Sequence, residues 1–89
     1  MHTVYFLQSK KDKRFYIGCT SDLEKRIKYH NSGKNKSTKH RAPFNLVYKE
    51  EYEDKHDAYK REYHLKSPKG FLEKKMIIEK LYNSQVAQR

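Results

Sequence analysis

An α+β fold is what this sequence predicts: a small three-stranded antiparallel sheet flanked by helices, in the order ββαβαα. Three observations carry the prediction. Short β-branched and aromatic runs bounded by polar turns read as strands. Stretches with apolar residues three and four positions apart, preceded by Ser or Asp, read as capped helices. The 89 residues accommodate one domain, 1–89 with a core over about 3–82, because half that length could not bury a core unaided.

Thr3-Val4-Tyr5-Phe6-Leu7-Gln8-Ser9 is the first strand and Arg14-Phe15-Tyr16-Ile17-Gly18-Cys19 the second, joined as a hairpin through Lys10-Lys11-Asp12-Lys13. A helix follows, with Ser21 and Glu24 as a capping box and Asn31-Ser32-Gly33 as the stop signal. Residues 32–43 form a loop dense in Lys, Asn and Ser that ends at Pro43. Phe44 to Tyr52 is the third strand, with Phe44, Leu46, Tyr48 and Tyr52 on one parity and both tyrosines in the core. Asp54 or Asp57 caps a second helix through Leu65, and Ser67-Pro68-Lys69-Gly70 interrupts it. A third helix then packs through Leu72, Met76, Ile77 and Leu81, and the residues after Tyr82, lacking an apolar pattern, are expected to fray.

Composition narrows the partners. Lys and Arg number 21 against 11 Asp and Glu, a formal charge of +10, which points to a polyanion: nucleic acid before an anionic membrane. With 36% charged residues and a mean hydropathy of −1.23 the chain approaches disordered proteins, but 13% aromatic residues argue for a folded core. Size excludes a full Rossmann or TIM barrel, and the short apolar runs exclude a membrane span. Met1-His2-Thr3 leads straight into a strand-like segment rather than a signal-peptide core. Cys19 stands alone, so no intrachain disulfide is possible, and a reducing cytoplasm is the expected compartment. No histidine is locally placed to make Cys19 a nucleophile, and zinc-finger spacing is lacking.

Polar residues fall where the periodicity assigns the packed side. Arg26 and His30 share a helix face with Leu23 and Ile27, and Glu62 shares one with Ala58 and Leu65. Such groups are costly there unless paired or wet. They form either a buried Arg26–Glu62 ion pair or the lining of a cleft. Tyr5 and Tyr16 lie eleven positions apart, so any hairpin loop with an even number of residues puts them on one sheet face, opposite or diagonal. Gly18, of the same parity as Tyr16, leaves that face open.

These residues resemble the GIY-YIG endonucleases. Thr3-Val4-Tyr5 is similar to the first motif of that family, with Thr3 in place of its glycine, and Tyr16-Ile17-Gly18 is the second. The helical arginine matches Arg26, the histidine of many members matches His30, and the metal-binding glutamate matches Glu62 in Arg61-Glu62-Tyr63. The resemblance covers roughly residues 3–82 and is nearest to small stand-alone members akin to the nuclease module of the bacterial excision-repair incision protein, and it also fits the catalytic modules of phage homing endonucleases. One departure is chemical: where the family often has an asparagine, this chain has Lys74, Lys75, Met76 and Ile77.

The resemblance implies hydrolysis of DNA phosphodiester bonds. Glu62 would hold a divalent cation, Mg²⁺ or Mn²⁺ in its place, together with water and substrate phosphate. Arg26 would stabilise charge on the phosphate through its planar fork. A free tyrosine titrates near pH 10, so a phenolate base needs positive charge nearby. Tyr16 is assigned as that base and Tyr5 as the group that orients the water or contacts the phosphate, with the reverse order as the alternative. His30 donates to the phosphate or shares the base role, unless it merely ends its helix. Lys34, Lys36, Lys39 and Arg41 would track phosphates of DNA, with RNA as an alternative substrate and sequence specificity left to a partner protein or oligomer. The competing reading is a nucleic-acid-binding module of the same fold with little cleavage, prompted by the missing asparagine. A membrane-surface or protein adaptor accounts for the charge, but the helices lack its continuous apolar face.

Overall fold

The computed structural model describes residues 1–36 and 38–87. Strands β1 (His2–Ser9), β2 (Phe15–Thr20) and β3 (Phe44–Tyr52) form one antiparallel sheet in the order β2-β1-β3. With β1 in the centre, both of its faces must be apolar: Val4 and Phe6 are buried on one side, Tyr5 and Leu7 on the other. The hairpin loop spans Lys10 to Lys13, closed by Ser9 N–H to Arg14 O at 2.9 Å and Lys13 N–H to Ser9 O at 3.0 Å. Its even length places Tyr5 and Tyr16 on the same face, as the sequence reading expects of an even loop.

In β3 the simple alternation fails. Phe6 pairs with Tyr48 but Leu7 pairs with Leu46, so Val47 is an extra residue in the ladder. This bulge reverses the facing of everything beyond it. Phe44 packs beside Tyr5 and Leu7, whereas Tyr48 and Tyr52 join Val4 and Phe6 on the opposite face, and Leu46 is left exposed. The expectation that these residues share one face is therefore corrected.

Helix α1 (Leu23–Asn31) covers the Tyr5 face through Leu23, Ile27 and His30, and α2 (Lys55–Lys66) covers the other through Ala58 and Leu65. The first cap is Asp22 rather than Ser21: its Oδ1 accepts from Lys25 N–H at 3.1 Å. Asp54 caps α2 in the same way, 2.8 Å from His56 N. Gly33, with φ +79, takes the chain out of α1 at the expected stop.

Helix α3 (Phe71–Ala87) continues beyond Tyr82, where the sequence is expected to fray, and residues 88–89 lie outside the described residues. Its packed stripe is Ile77 and Ile78, while Leu72 and Met76 are 71% and 66% exposed. The helix carries two apolar stripes, and only one can face the sheet. Glu50 on β3 ties the layers together: it accepts from Tyr48 Oη at 2.5 Å, Tyr52 Oη at 2.6 Å and Arg61 Nε at 2.8 Å. Arg61 then reaches Glu73 on α3 at 2.7 Å, where His64 is also bound at 3.0 Å.

Candidate active site

The site is built on the α1 face of β1 and β2. Tyr5 pairs with Gly18 across the ladder and Tyr16 with Leu7, so the two tyrosines are diagonal neighbours with ring centroids 6.4 Å apart. A Cβ at Gly18 would lie 2.5 Å from Tyr5 Cζ and closer still to Oη. The space above the glycine is thus filled by the phenol of Tyr5, which leans across β2 instead of standing upright.

His30 joins the two rings from the last turn of α1. Its Nε2 lies 3.3 Å from Tyr5 Oη, its Nδ1 lies 3.1 Å from Thr38 Oγ1, and its ring centroid lies 4.8 Å from that of Tyr16. All of Tyr5, His30 and Thr38 are buried. Burial, with the nearby charge of Arg26, pulls the imidazole below its ordinary pKa and keeps it neutral. One ring nitrogen therefore donates and the other accepts, which couples Tyr5 to Thr38 through a single ring. Burial also pushes the Tyr5 phenol well above the ordinary tyrosine value, with Tyr16 adding to the shift, Arg26 opposing it and Glu62 reinforcing it. Tyr5 is a phenol at any physiological pH.

Arg26 and Glu62 are both within electrostatic reach of the Tyr5 hydroxyl, from α1 and α2 respectively. They do not form the ion pair weighed from the sequence. Arg26 is exposed rather than packed, beside an open depression of about 660 Å³ lined also by Thr20, Ser21, Asp22, Lys25 and Tyr29. Glu62 is half-buried, and its Oε2 accepts from Lys66 Nζ at 2.8 Å. Lys66 also stands 5.7 Å from the Tyr16 ring centroid. Cys19 is buried, and burial followed by the Glu62 charge raises its thiol pKa, which disfavours a nucleophilic thiolate.

The structure thus packs Tyr5, Tyr16 and His30 together, with Arg26 and Glu62 near enough for their charges to act on the Tyr5 hydroxyl. The basic loop divides. Lys34, Lys36 and Lys39 are exposed, whereas Arg41 binds Asp12 at 3.1 Å, donates to Phe15 O at 3.4 Å and lies 5.7 Å from the Phe44 ring centroid. Two residues of the site escaped the sequence reading. Lys66 could have been found from its position four residues after Glu62 on a helix. Thr38 sits in an aperiodic loop and gives no such signal.

A divalent cation would find one partly exposed carboxylate here. Among the described residues no group of three or more His, Cys, Asp or Glu is placed to enclose a metal. That donor chemistry fits Mg²⁺ or Mn²⁺, which retain several waters and take further ligands from substrate phosphate. It does not fit a structural zinc.

A β2-β1-β3 sheet carrying paired tyrosines over a glycine, with an arginine on the first helix and a glutamate on the second, defines a class. The chain belongs to the GIY-YIG family, whose catalytic-domain model matches residues 1–76. Its similarity extends to small proteins of one kind. It is 49% identical over 67 residues to a UPF0213 protein of Clostridium perfringens, covering 74% of this chain and 71% of that one. It is 38% identical over 84 residues to the UPF0213 protein YazA of Bacillus subtilis, covering 93% of this chain and 84% of that one. The solution structure of the UPF0213 protein BH0048 from Bacillus halodurans matches with a TM-score of 0.54 at 38% identity, over 88% of this chain and 82% of that one.

Proposed function

We propose that the protein is a metal-dependent endonuclease that hydrolyses DNA phosphodiester bonds. The observation that carries this reading is the packing of Tyr5, Tyr16 and His30 beside Gly18, with the charges of Arg26 and Glu62 acting on the same Tyr5 hydroxyl. Hydrolysis requires a water oxygen to bond to phosphorus, the bond to the 3′-oxygen to break, and a base to take the water's proton.

Tyr16 is assigned that proton. It is half-buried, and its ring faces Lys66, whereas Tyr5 is sealed from water and held as a phenol by burial. In the free protein neutral His30 fixes the buried Tyr5 hydroxyl, and Tyr5 orients the water or a phosphate oxygen once substrate binding opens that contact. Arg26, exposed beside its depression, meets the phosphate oxygens as their negative charge grows. Glu62 would hold the cation, which when bound supplies charge stabilisation at the phosphate and the leaving oxygen. Lys34, Lys36 and Lys39 supply backbone attraction to either DNA or RNA.

Replacing Tyr16 with Phe tests the assignment. Cleavage should fall by at least a hundredfold, the order expected for losing a general base, while DNA affinity is unchanged. Full retention of cleavage overturns it. The second reading, a binding module that cuts little, is favoured by the Lys66–Glu62 pair, since that ammonium neutralises the one carboxylate offered to a metal.

A further inference from the structure

Beyond facing the Tyr16 ring and neutralising Glu62, Lys66 stands between two of the residues that the nuclease reading uses. Its ammonium is 2.8 Å from Glu62 Oε2 and 5.7 Å from the centre of the Tyr16 ring. The side chain of Glu62 is 19% exposed and that of Lys66 46%, so the pair lies at the mouth of the site with the carboxylate inward. Among the described residues this is the one ion pair that Glu62 makes. One ammonium therefore occupies the carboxylate that a cation would need. A divalent cation approaching the free protein is repelled by that ammonium, and a phosphodiester oxygen can draw the ammonium away.

The geometry points to Lys66 as a positioning residue that holds the Glu62 carboxylate in the free protein and exchanges it for a phosphate oxygen when nucleic acid and cation bind. The proposal rests on the nuclease reading for the role of Glu62. The exchange is physically modest. A helical pair at this spacing is weak, and the flexible four-carbon stem of lysine carries its charge between partners without moving the backbone. Because coupling between two ligands is reciprocal, nucleic acid must tighten cation binding by the same factor that the cation tightens nucleic-acid binding. Lys66 sets part of that factor.

The test is a Mn²⁺ titration of the full chain, read by loss of the free-ion paramagnetic resonance signal, with and without a short single-stranded oligonucleotide. Lys66→Gln should bind Mn²⁺ about tenfold more tightly in the absence of nucleic acid, the order expected for removing a unit charge beside a divalent ion at high dielectric. Lys66→Arg, which keeps the charge, should match the wild type, and Glu62→Gln should abolish binding in either background. Adding oligonucleotide should tighten Mn²⁺ binding to the wild type more than to Lys66→Gln. Equal or weaker Mn²⁺ binding by Lys66→Gln, or no binding by either protein, overturns the exchange. If the titrations behave as expected while no DNA is cut, the exchange stands and the nuclease reading falls. If DNA is cut with Mn²⁺ but the titrations do not differ, the nuclease reading stands and the exchange falls.

Discussion

At the scale of single residues, Gly18 shows most clearly how the site is made. Its missing side chain looked, from the sequence, like an opening on the sheet face. The register places Tyr5 directly opposite, and the phenol lies where a Cβ would be. Gly18→Ala should therefore cost about 1–3 kcal/mol, the usual range for overpacking a filled core. The Tyr5–His30 bond would be displaced as well. Thermal denaturation together with DNA cleavage checks this, and an unchanged Tm with full activity contradicts it. The tyrosine pair was legible because β1 and β2 pair without a bulge around an even loop, and parity then decides which face a strand residue occupies. The His30–Thr38 contact was not, since it depends on how an aperiodic loop folds back over α1. Arg26 was misplaced because periodicity assigns a direction to a side chain but not the length by which a long one escapes to solvent.

At the scale of elements, the position of α2 rests on Glu50. Partial burial works to raise its pKa, but hydrogen bonds from Arg61, Tyr48 and Tyr52 outweigh this and hold the carboxyl down to about 2. A depressed carboxylate contributes stability that is fully present above its ordinary value near 4.5 and is lost as pH falls through its folded value. Tm should thus decline between about pH 5 and pH 2, by an amount corresponding to on the order of 3 kcal/mol. Glu50→Gln should be less stable at neutral pH and show a flatter acid limb. An acid limb identical to that of the wild type would contradict the role of Glu50. Helix and strand limits were largely readable, because Asp54, Gly33 and the polar hairpin loop act through local chemistry. The bulge at Val47 and the choice of Ile77 and Ile78 over Leu72 and Met76 were not. Both depend on which of two available faces meets a neighbour across the sheet.

For the whole molecule, a formal charge of +10 and 36% charged residues have not prevented folding. The radius of gyration of 13.2 Å is close to the roughly 12 Å expected of a folded chain this long. Aromatic residues on both faces of β1 supply the packing, and the charge is left outside. No helix among the described residues is long and apolar enough to cross a membrane. The surplus of lysine marks a polyanion as partner but does not distinguish binding from cutting. That distinction falls to the small cluster around Gly18, and within it to one carboxylate. The most direct measurement is the conversion of supercoiled plasmid to nicked circles with Mg²⁺ or Mn²⁺ and with EDTA, by the wild type and by Glu62→Gln. The account predicts nicking that requires the cation and disappears in Glu62→Gln while plasmid binding persists. Nicking that survives EDTA or the substitution, or binding without nicking under every condition, would contradict it.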